Sequence, residues 1–203
     1  MKLYSFAGSC GQASHIVLNW TGQPFEVELM PKEQTKTPEY LQLNPIGKVP
    51  LLDDGGFILS ENAAVLTYLA DKYPQAQLAG GSDIKQRARV EHWLGFINSE
   101  VHPTFKPLFG ATAYLEDAAA VEKTQANART QLRKLFEIMD AQLGQADYLA
   151  GERSIADAYA FVTVLWTGFV NVDISGLEHL AAFKARMQAD PAVQKALKDE
   201  GLA

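Results

Sequence analysis

The 203-residue chain contains 47% hydrophobic and 21% charged residues and carries a formal net charge of −6, a composition typical of a folded globular protein rather than a disordered one. Its 18 Lys and Arg residues are scattered, which argues against a nucleic-acid partner, because neutralising phosphates requires clustered cations. The longest apolar stretch, residues 156–170, is too short to span a membrane and the N-terminus lacks a signal-peptide core, so we expect a cytoplasmic protein with no membrane association.

The first 75 residues predict a mixed sheet with helices packed on it. Residues 2–6 and 25–29 have the pattern of strands, and residues 11–20 between them carry apolar side chains at helical spacing. Residues 49–53 and 57–59 predict two antiparallel strands around a glycine turn. A helix after Ser60, which we expect to cap it, ends before Pro74. This order of elements predicts a thioredoxin-like α/β domain.

The remainder of the chain predicts helices only. Pro, Gly and small polar residues at 74–83 predict a boundary, which divides the chain into an N-terminal domain of residues 1–77 and an all-α C-terminal domain of residues 84–203. Ser154 and Asp157 have the spacing of a capping box at the start of the long apolar helix, and Pro191 is placed to begin the last helix.

Cys10 is the only cysteine, so the chain has no internal disulfide or thiolate cluster. Its position at the start of the first helix favours a thiolate, because unpaired amides and the helix dipole stabilise an anion there. A small buried hydrophobe is the alternative interpretation. Because no second cysteine follows, an external thiol would have to resolve any mixed disulfide. No pair of histidines has metal-ligand spacing, so no metal is expected.

Three further motifs each allow a functional and a structural interpretation. Val49-Pro50 is either an ordinary edge-strand proline or a cis pair that aims its backbone into a cleft. Ser60-Glu61-Asn62 is either a helix cap or a site for an amino-acid head group. His102, close to Asn98 in sequence, either has a structural role or lines a cleft against the first domain.

Together these motifs resemble the cytosolic glutathione transferases, and most closely the bacterial beta class. The resemblance covers essentially the whole chain and rests on five segments: MKLY…GSC…ASHIVL at 1–18, LNPIGKVPLL at 43–52, LSENAAVLTYLADKYP at 59–74, EHWLGFINSEVHPTFKPLF at 91–109, and GERSIADAY at 151–159. It implies a glutathione-binding N-terminal domain, a helical domain that supplies the electrophile pocket, glutathione as co-substrate, and a homodimer.

The resemblance also implies roles for individual residues. Cys10 and His102 are similar to class residues near the glutathione sulfur, and Ser9 is the alternative hydroxyl donor, ranked above Tyr4. The residues expected to contact glutathione are Cys10, Lys32, Lys48, Val49, a cis Pro50, Glu61, Asn62, Asn98 and His102. The electrophile pocket is expected to contain Phe105, Phe109, Tyr114 and Trp166.

Two departures from the pattern affect the thiol site. Gly11 stands where relatives often have serine, and Pro103 where lysine is common. The expected function is attack of the glutathione thiolate on small hydrophobic electrophiles, with thiol–disulfide transfer through Cys10. The alternatives are a specialised glutathione-dependent dehalogenase or isomerase, and a non-enzymatic ligand-binding or regulatory protein of the same architecture.

Overall fold

A computed structural model describes all 203 residues and contains one four-stranded mixed sheet. The strands are β1 Lys2–Ser5, β2 Glu26–Leu29, β3 Leu51–Asp54 and β4 Phe57–Ser60, arranged in the order β2-β1-β3-β4. The β1–β2 pair is parallel and the other two pairs are antiparallel. A parallel pair needs a crossover connection, and the helix predicted between the first two strands provides it.

Three helices complete this part of the chain: α1 Gly11–Thr21, α2 Pro38–Leu43 and α3 Asn62–Lys72. Helix α1 is buried along almost its whole length, because it lies between the sheet and the helices of the second half. The order of elements predicted for the first 75 residues is therefore confirmed. The β3–β4 turn places Gly55 and Gly56 at positive φ, the backbone region in which glycine is least strained.

The start of α3 differs from the prediction. Ser60 does not cap the helix, because it is the last residue of β4 and pairs with Leu51. Glu61 occupies the N-cap position instead, at φ 68°, and its side chain makes no capping hydrogen bond. Strand β3 also begins two residues later than predicted, at Leu51, since Pro50 has no N–H to donate to a neighbouring strand.

The second half is helical throughout, as predicted. It consists of α4 Ile84–Phe96, a π-helical turn Ile97–Val101, α5 His102–Thr104, α6 Ala118–Leu143, α7 Ile155–Phe169, α8 Glu178–Ala189 and α9 Pro191–Asp199. Short 3-10 turns occur at Lys32–Lys36, Pro74–Ala76 and Ala113–Leu115. No helix is both long and apolar enough to cross a membrane.

Helix α7 is the centre of the core, and its capping box forms as predicted. The Asp157 carboxylate is fully buried and accepts hydrogen bonds from the Ser154 amide (2.8 Å), the Ser154 hydroxyl (2.9 Å) and the Leu149 amide (2.9 Å). These donors join the loop before α7 to its first turn. The helix is thereby held in place where its inner face meets the cleft described below.

A buried carboxylate near the C-terminus ties the last helix to the first. Glu200 Oε2 accepts from the Gly8 amide (2.9 Å) and the Gln12 side chain (2.8 Å), while Oε1 lies 3.0 Å from His15 Nδ1. The Trp166 indole N–H donates to the Gly8 carbonyl at 2.8 Å. The loop between β1 and α1 is thus held from two elements of the helical half. His15 is therefore a buried histidine whose Nδ1 is paired with Glu200.

Candidate functional site

A cleft of about 660 Å³ separates the C-terminal edge of the sheet from the helical half. From the first half of the chain, the predicted site residues that line it are Ser9, Cys10, Lys32, Lys48, Val49, Pro50, Glu61 and Asn62. From the helical half they are Asn98, His102, Phe109 and Trp166. The structure therefore brings together residues as far apart in the chain as Ser9 and Trp166.

Two residues predicted to line the electrophile pocket do not do so. Phe105 is fully buried and packs beneath Phe109 and Trp166, so it supports the aromatic wall without forming its surface. Tyr114 is 76% exposed, because residues after α5 form turns that carry it out to solvent. Phe169 at the end of α7, which the sequence analysis did not select, lines the cleft in their place.

The segment before β3 presents backbone groups to the cleft. The Lys48 carbonyl accepts from the Tyr40 hydroxyl (2.6 Å) and the Asn44 side chain (2.8 Å). Because the N–H and C=O of a trans peptide point in opposite directions, the Val49 N–H is directed away from those donors. It has no acceptor within the protein, and the Val49–Pro50 bond is cis. An extended peptide in the cleft could pair with Val49.

Asn62 is a buried polar residue at the N-terminus of α3. Its Oδ1 accepts from the Ser14 hydroxyl at 2.9 Å, and this bond fixes the orientation of the amide. Its Nδ2 is buried and has no hydrogen-bond partner. A buried unpaired donor costs about 1–3 kcal/mol, so its retention in the wall of a cleft points to a ligand acceptor. The neighbouring Glu61 carboxylate, which is exposed, adds a negative charge at the same end of the cleft.

Cys10 is the N-cap residue of α1, but the structure does not favour its thiolate. Its Sγ donates to the Val49 carbonyl at 3.6 Å, a bond that requires the protonated thiol. Burial, together with the nearby Glu61 carboxylate, raises the pKa of Cys10 to about 12, and this outweighs the backbone amides that favour the anion. The expected stabilisation by the helix start is therefore insufficient, and Cys10 is a neutral donor at pH 7.

His102 reaches the cleft from α5 and is neutral as well. Burial and the Lys106 and Lys48 cations lower the pKa of His102 to about 4. Its Nδ1 forms a hydrogen bond with the hydroxyl of Tyr159, whose pKa is raised by burial so that it keeps its proton. With Nδ1 as acceptor, the remaining hydrogen lies on Nε2. Trp166 packs edge-on against the ring and restricts its rotation.

Tyr159 was missed by the sequence analysis, although a signal was present. It is fully buried in the apolar helix α7, and a buried tyrosine needs a partner for its hydroxyl. That partner is the His102 ring, and the Asn98 side-chain oxygen lies 3.5 Å from the same hydroxyl. The hydrogen-bond partner of the Tyr159 hydroxyl depends on how the helices pack. The sequence pattern of a single helix does not predict that packing.

The charge of the cleft is opposite to that of the whole protein. Lys32, Lys36, Lys48 and Lys106 line it, and Glu61 is the one acidic residue among its 24 lining residues. Lys36 was not predicted; its Nζ donates to the Gly47 carbonyl at 2.8 Å. In a chain of net charge −6, this concentration of cations favours a ligand with carboxylate groups.

A second concavity of about 520 Å³ lies beside the C-terminal end of α1. It contains no cysteine or serine, and its one histidine, His15, is already engaged by Glu200. Its cation Lys195 is paired with Asp199 at 2.5 Å. This groove offers no free reactive group, so the candidate active site is the cleft at Cys10.

Comparison with known proteins assigns both halves of the chain to the same family. The profile described as "Glutathione S-transferase, N-terminal domain" matches residues 3–77, and "Glutathione S-transferase, C-terminal domain" matches residues 97–191. Glutathione S-transferase GST-4.5 of Xanthomonas campestris pv. campestris is 47% identical over 203 residues, covering 100% of both chains.

Solved structures agree with this similarity. A glutathione S-transferase from Xylella fastidiosa has a TM-score of 0.97 at 46% identity, covering 100% of this chain and 99% of that one. A sphingomonad glutathione S-transferase complexed with glutathione has a TM-score of 0.88 at 36% identity, and a beta class enzyme from Sphingomonas chungbukensis has 0.88 at 35%. Both cover each chain completely.

The neutral state of Cys10 predicts a slow thiol. Since the thiolate is the nucleophile and Cys10 is the only cysteine, alkylation by iodoacetamide at pH 8 should be at least about 10-fold slower in the folded protein than in the chain unfolded by guanidinium. Intact-protein mass against time measures both rates. Equal rates would show that the folded site does not suppress the thiolate.

The lowered pKa of His102 predicts acid sensitivity. The unfolded state binds a proton below pH 6.5 that the folded state rejects until about pH 4, so stability falls as the pH decreases through this window. Between pH 7 and pH 5 the wild type should lose about 1–2 kcal/mol more than His102→Gln does, as measured by urea unfolding. Equal losses in the two proteins would contradict the assignment.

Proposed function

The chain belongs to the glutathione S-transferase family, and we propose that its cleft binds glutathione with the thiol beside Cys10 and directs the thiolate onto small hydrophobic electrophiles. It is a transferase of this family and resembles beta class enzymes in structure. The observation that carries the site assignment is the free Val49 amide, which lines the same cleft as Cys10 and the unpaired buried Asn62. Glutathione is the co-substrate in this proposal, and no metal takes part.

The polar groups of the cleft match the parts of glutathione. The γ-glutamyl end carries an ammonium and a carboxylate, which suit the Glu61 carboxylate and the Asn62 Nδ2 donor. The cysteinyl peptide group pairs with the Val49 backbone, as one strand pairs with another. The glycyl carboxylate lies toward the lysines at 32 and 48. In this arrangement the sulfur lies at the N-terminus of α1.

The thiol is activated by donors that are themselves neutral. The thiolate is stabilised by the α1 helix start and by the Nε2–H of His102 from the opposite wall, with Ser9 as a further hydroxyl donor. The S–H of Cys10 also donates to it, turning from the Val49 carbonyl to the sulfur once glutathione pairs with the Val49 backbone. Each hydrogen bond to an ionised sulfur favours the ionised form, so together they lower the pKa of the glutathione thiol. The thiol proton leaves to solvent, and the sulfur attacks the electrophile.

The electrophile is proposed to bind against the aromatic wall. Trp166 and Phe109 meet edge to face with their centroids 5.2 Å apart, and Phe169 is 62% exposed at the mouth. Flat apolar molecules pack well on such surfaces, and bringing them next to the thiolate supplies the proximity that the reaction needs. A glutathione-dependent dehalogenase or isomerase would use the same binding site with a different electrophile.

Cys10 is proposed to play different parts in two reactions. In conjugation it donates to the glutathione sulfur, which is the nucleophile. In thiol–disulfide transfer the Cys10 thiolate attacks the glutathione sulfur of a mixed-disulfide substrate and releases the substrate's other thiol. A free glutathione thiolate then attacks the Cys10–glutathione disulfide, which releases the Cys10 thiolate and oxidised glutathione. The raised pKa of Cys10 favours the first part, because it leaves little Cys10 thiolate to compete.

The domain boundary, the cellular location and the oligomeric state are also proposals. We place the division between the glutathione-binding part and the helical part between residues 77 and 84, and we propose a cytoplasmic homodimer with a detoxifying role. An exposed Phe57 on β4 beside Tyr68 of α3 offers an aromatic contact for a second copy. Sedimentation measures the oligomeric state.

The binding site is tested with a charge-neutral substitution. Glu61→Gln keeps the shape of the side chain but removes the charge that faces the glutathione ammonium, and we expect the Kd for glutathione to rise about 10-fold or more by calorimetry. Glu39→Gln removes another exposed carboxylate, which lies outside the cleft, and should leave Kd unchanged. A wild type that neither binds glutathione nor turns over aromatic halides would instead support the non-enzymatic alternative.

The part played by Cys10 is tested by comparing two reactions. Cys10→Ala should retain conjugation with an aromatic halide to within about 10-fold, because it loses one donor and not the nucleophile. It should lose glutathione-dependent disulfide reduction entirely. Cys10→Ser, which keeps a donor, should conjugate better than the alanine variant. Equal loss of both reactions in both variants would show that Cys10 is required for the chemistry they share.

A further inference from the structure

Two hydrogen-bonded serines, Ser5 and Ser9, precede Cys10 in the chain, and the proposed chemistry uses only Ser9. Ser5, the last residue of β1, is fully buried, and its Oγ lies 3.0 Å from Ser9 Oγ. Ser9 is 6% exposed and lines the cleft beside Cys10. The Gly11 amide donates to Ser9 Oγ at 3.2 Å. Ser9 therefore belongs to the wall of the cleft, and the fully buried Ser5 is bonded to its hydroxyl.

The direction of the hydrogen bond between the serines follows from counting donors. Ser5 Oγ has no hydrogen-bond partner other than Ser9 Oγ. If Ser9 were the donor, the hydrogen of the fully buried Ser5 would have no acceptor, which is costly. Ser5 is therefore the donor. Ser9 then accepts two bonds, from Ser5 and from the Gly11 amide, and only its hydrogen remains for a partner in the cleft.

Gly11 provides the space that this arrangement needs. A Cβ at position 11 would lie 2.3 Å from Ser5 Oγ, 3.1 Å from Ser5 Cβ and 3.3 Å from Pro50 Cβ. The first distance is far inside van der Waals contact, so any side chain at position 11 would displace the Ser5 hydroxyl. The glycine is not required by its backbone, since it lies inside α1 and its φ is not positive.

We propose that Ser5 is a positioning residue, which holds the Ser9 hydroxyl with its hydrogen toward the sulfur of bound glutathione, and that Gly11 is needed to leave room for Ser5. This inference rests on the proposed function. Ser9 acts as a donor and never as a base, because both of its lone pairs are occupied, so the thiol proton goes to solvent. The donation from Ser5 polarises the Ser9 O–H and strengthens its bond to the thiolate.

The test compares Ser5→Ala with the wild type. Thiolate absorbance of bound glutathione against pH gives the pKa of its thiol, which should rise by about 0.5–1 unit in Ser5→Ala, because a polarising donor is lost. At a pH below that pKa, kcat/KM should fall about 3- to 10-fold, while the Kd for glutathione changes less than about 2-fold.

A matched control removes another buried hydroxyl. Thr163 is fully buried in α7 and bonds only to the Ala160 carbonyl of its own helix. Thr163→Val should lower the melting temperature without moving the pKa of the bound thiol. An equal pKa change in both variants would mean that Ser5 acts through stability alone, and would overturn the inference.

A second substitution tests the claim about space. Gly11→Ala should shift the bound-thiol pKa upward by about as much as Ser5→Ala does, because it displaces the same hydroxyl, and the double variant should shift it no further. Additive shifts would show that the two residues act independently. If Gly11→Ala does not fold, Ser5→Ala still decides the role of Ser5.

The outcomes separate this inference from the proposed function. If the wild type does not bind glutathione or does not lower the pKa of its thiol, the proposed function fails. If the wild type does both and Ser5→Ala leaves the thiol pKa within about 0.2 unit, only the role of Ser5 is overturned, since a residue that polarises the donor must move that pKa.

Discussion

The loop that joins β1 to α1 carries the reactive end of the cleft, and it is held by contacts from the far end of the chain. The buried Glu200 carboxylate accepts from Gly8 and Gln12, and Trp166 donates to Gly8 from α7. A loop with small residues would otherwise be mobile on its own. Because these bonds reach it from the helical half, the position of Cys10 depends on how the two halves pack. The geometry of the cleft therefore depends on the packing of the whole fold.

The site also depends on the absence of charge on Cys10 and His102. Burial raises the pKa of Cys10 to about 12 and lowers that of His102 to about 4, so neither residue carries a charge at pH 7. Fixed neutral donors can stabilise a sulfur anion without a competing counter-charge, and they need no reorganisation when the anion forms. The cations Lys48 and Lys106 also line the cleft, where they attract carboxylates and add to the effect of burial in lowering the pKa of His102.

Small residues determine the packing around the Ser9 hydroxyl. Gly11 has no side chain, so the hydroxyl of Ser5 occupies the space next to Ser9. The departure from serine at position 11, noted from the resemblance, is thus accompanied by a hydroxyl supplied from β1. A comparison of aligned residues would show only that the serine hydroxyl at position 11 is absent. The folded structure shows that the Ser5 hydroxyl lies close to the same position.

The order of strands and helices and the capping box at Ser154 could be predicted from the residues alone, because hydrophobic period, turn chemistry and local spacing are encoded along the chain. Most of the residues that line the cleft were expected only because the motifs resemble the glutathione transferases. Packing in the folded protein sets four features that the sequence did not predict: the protonation state of Cys10, the partner of Tyr159, the outward position of Tyr114 and the strand position of Ser60. Burial and hydrogen-bond partners come from residues distant in sequence. A pKa or a side-chain orientation that depends on such neighbours cannot be predicted from the local sequence pattern.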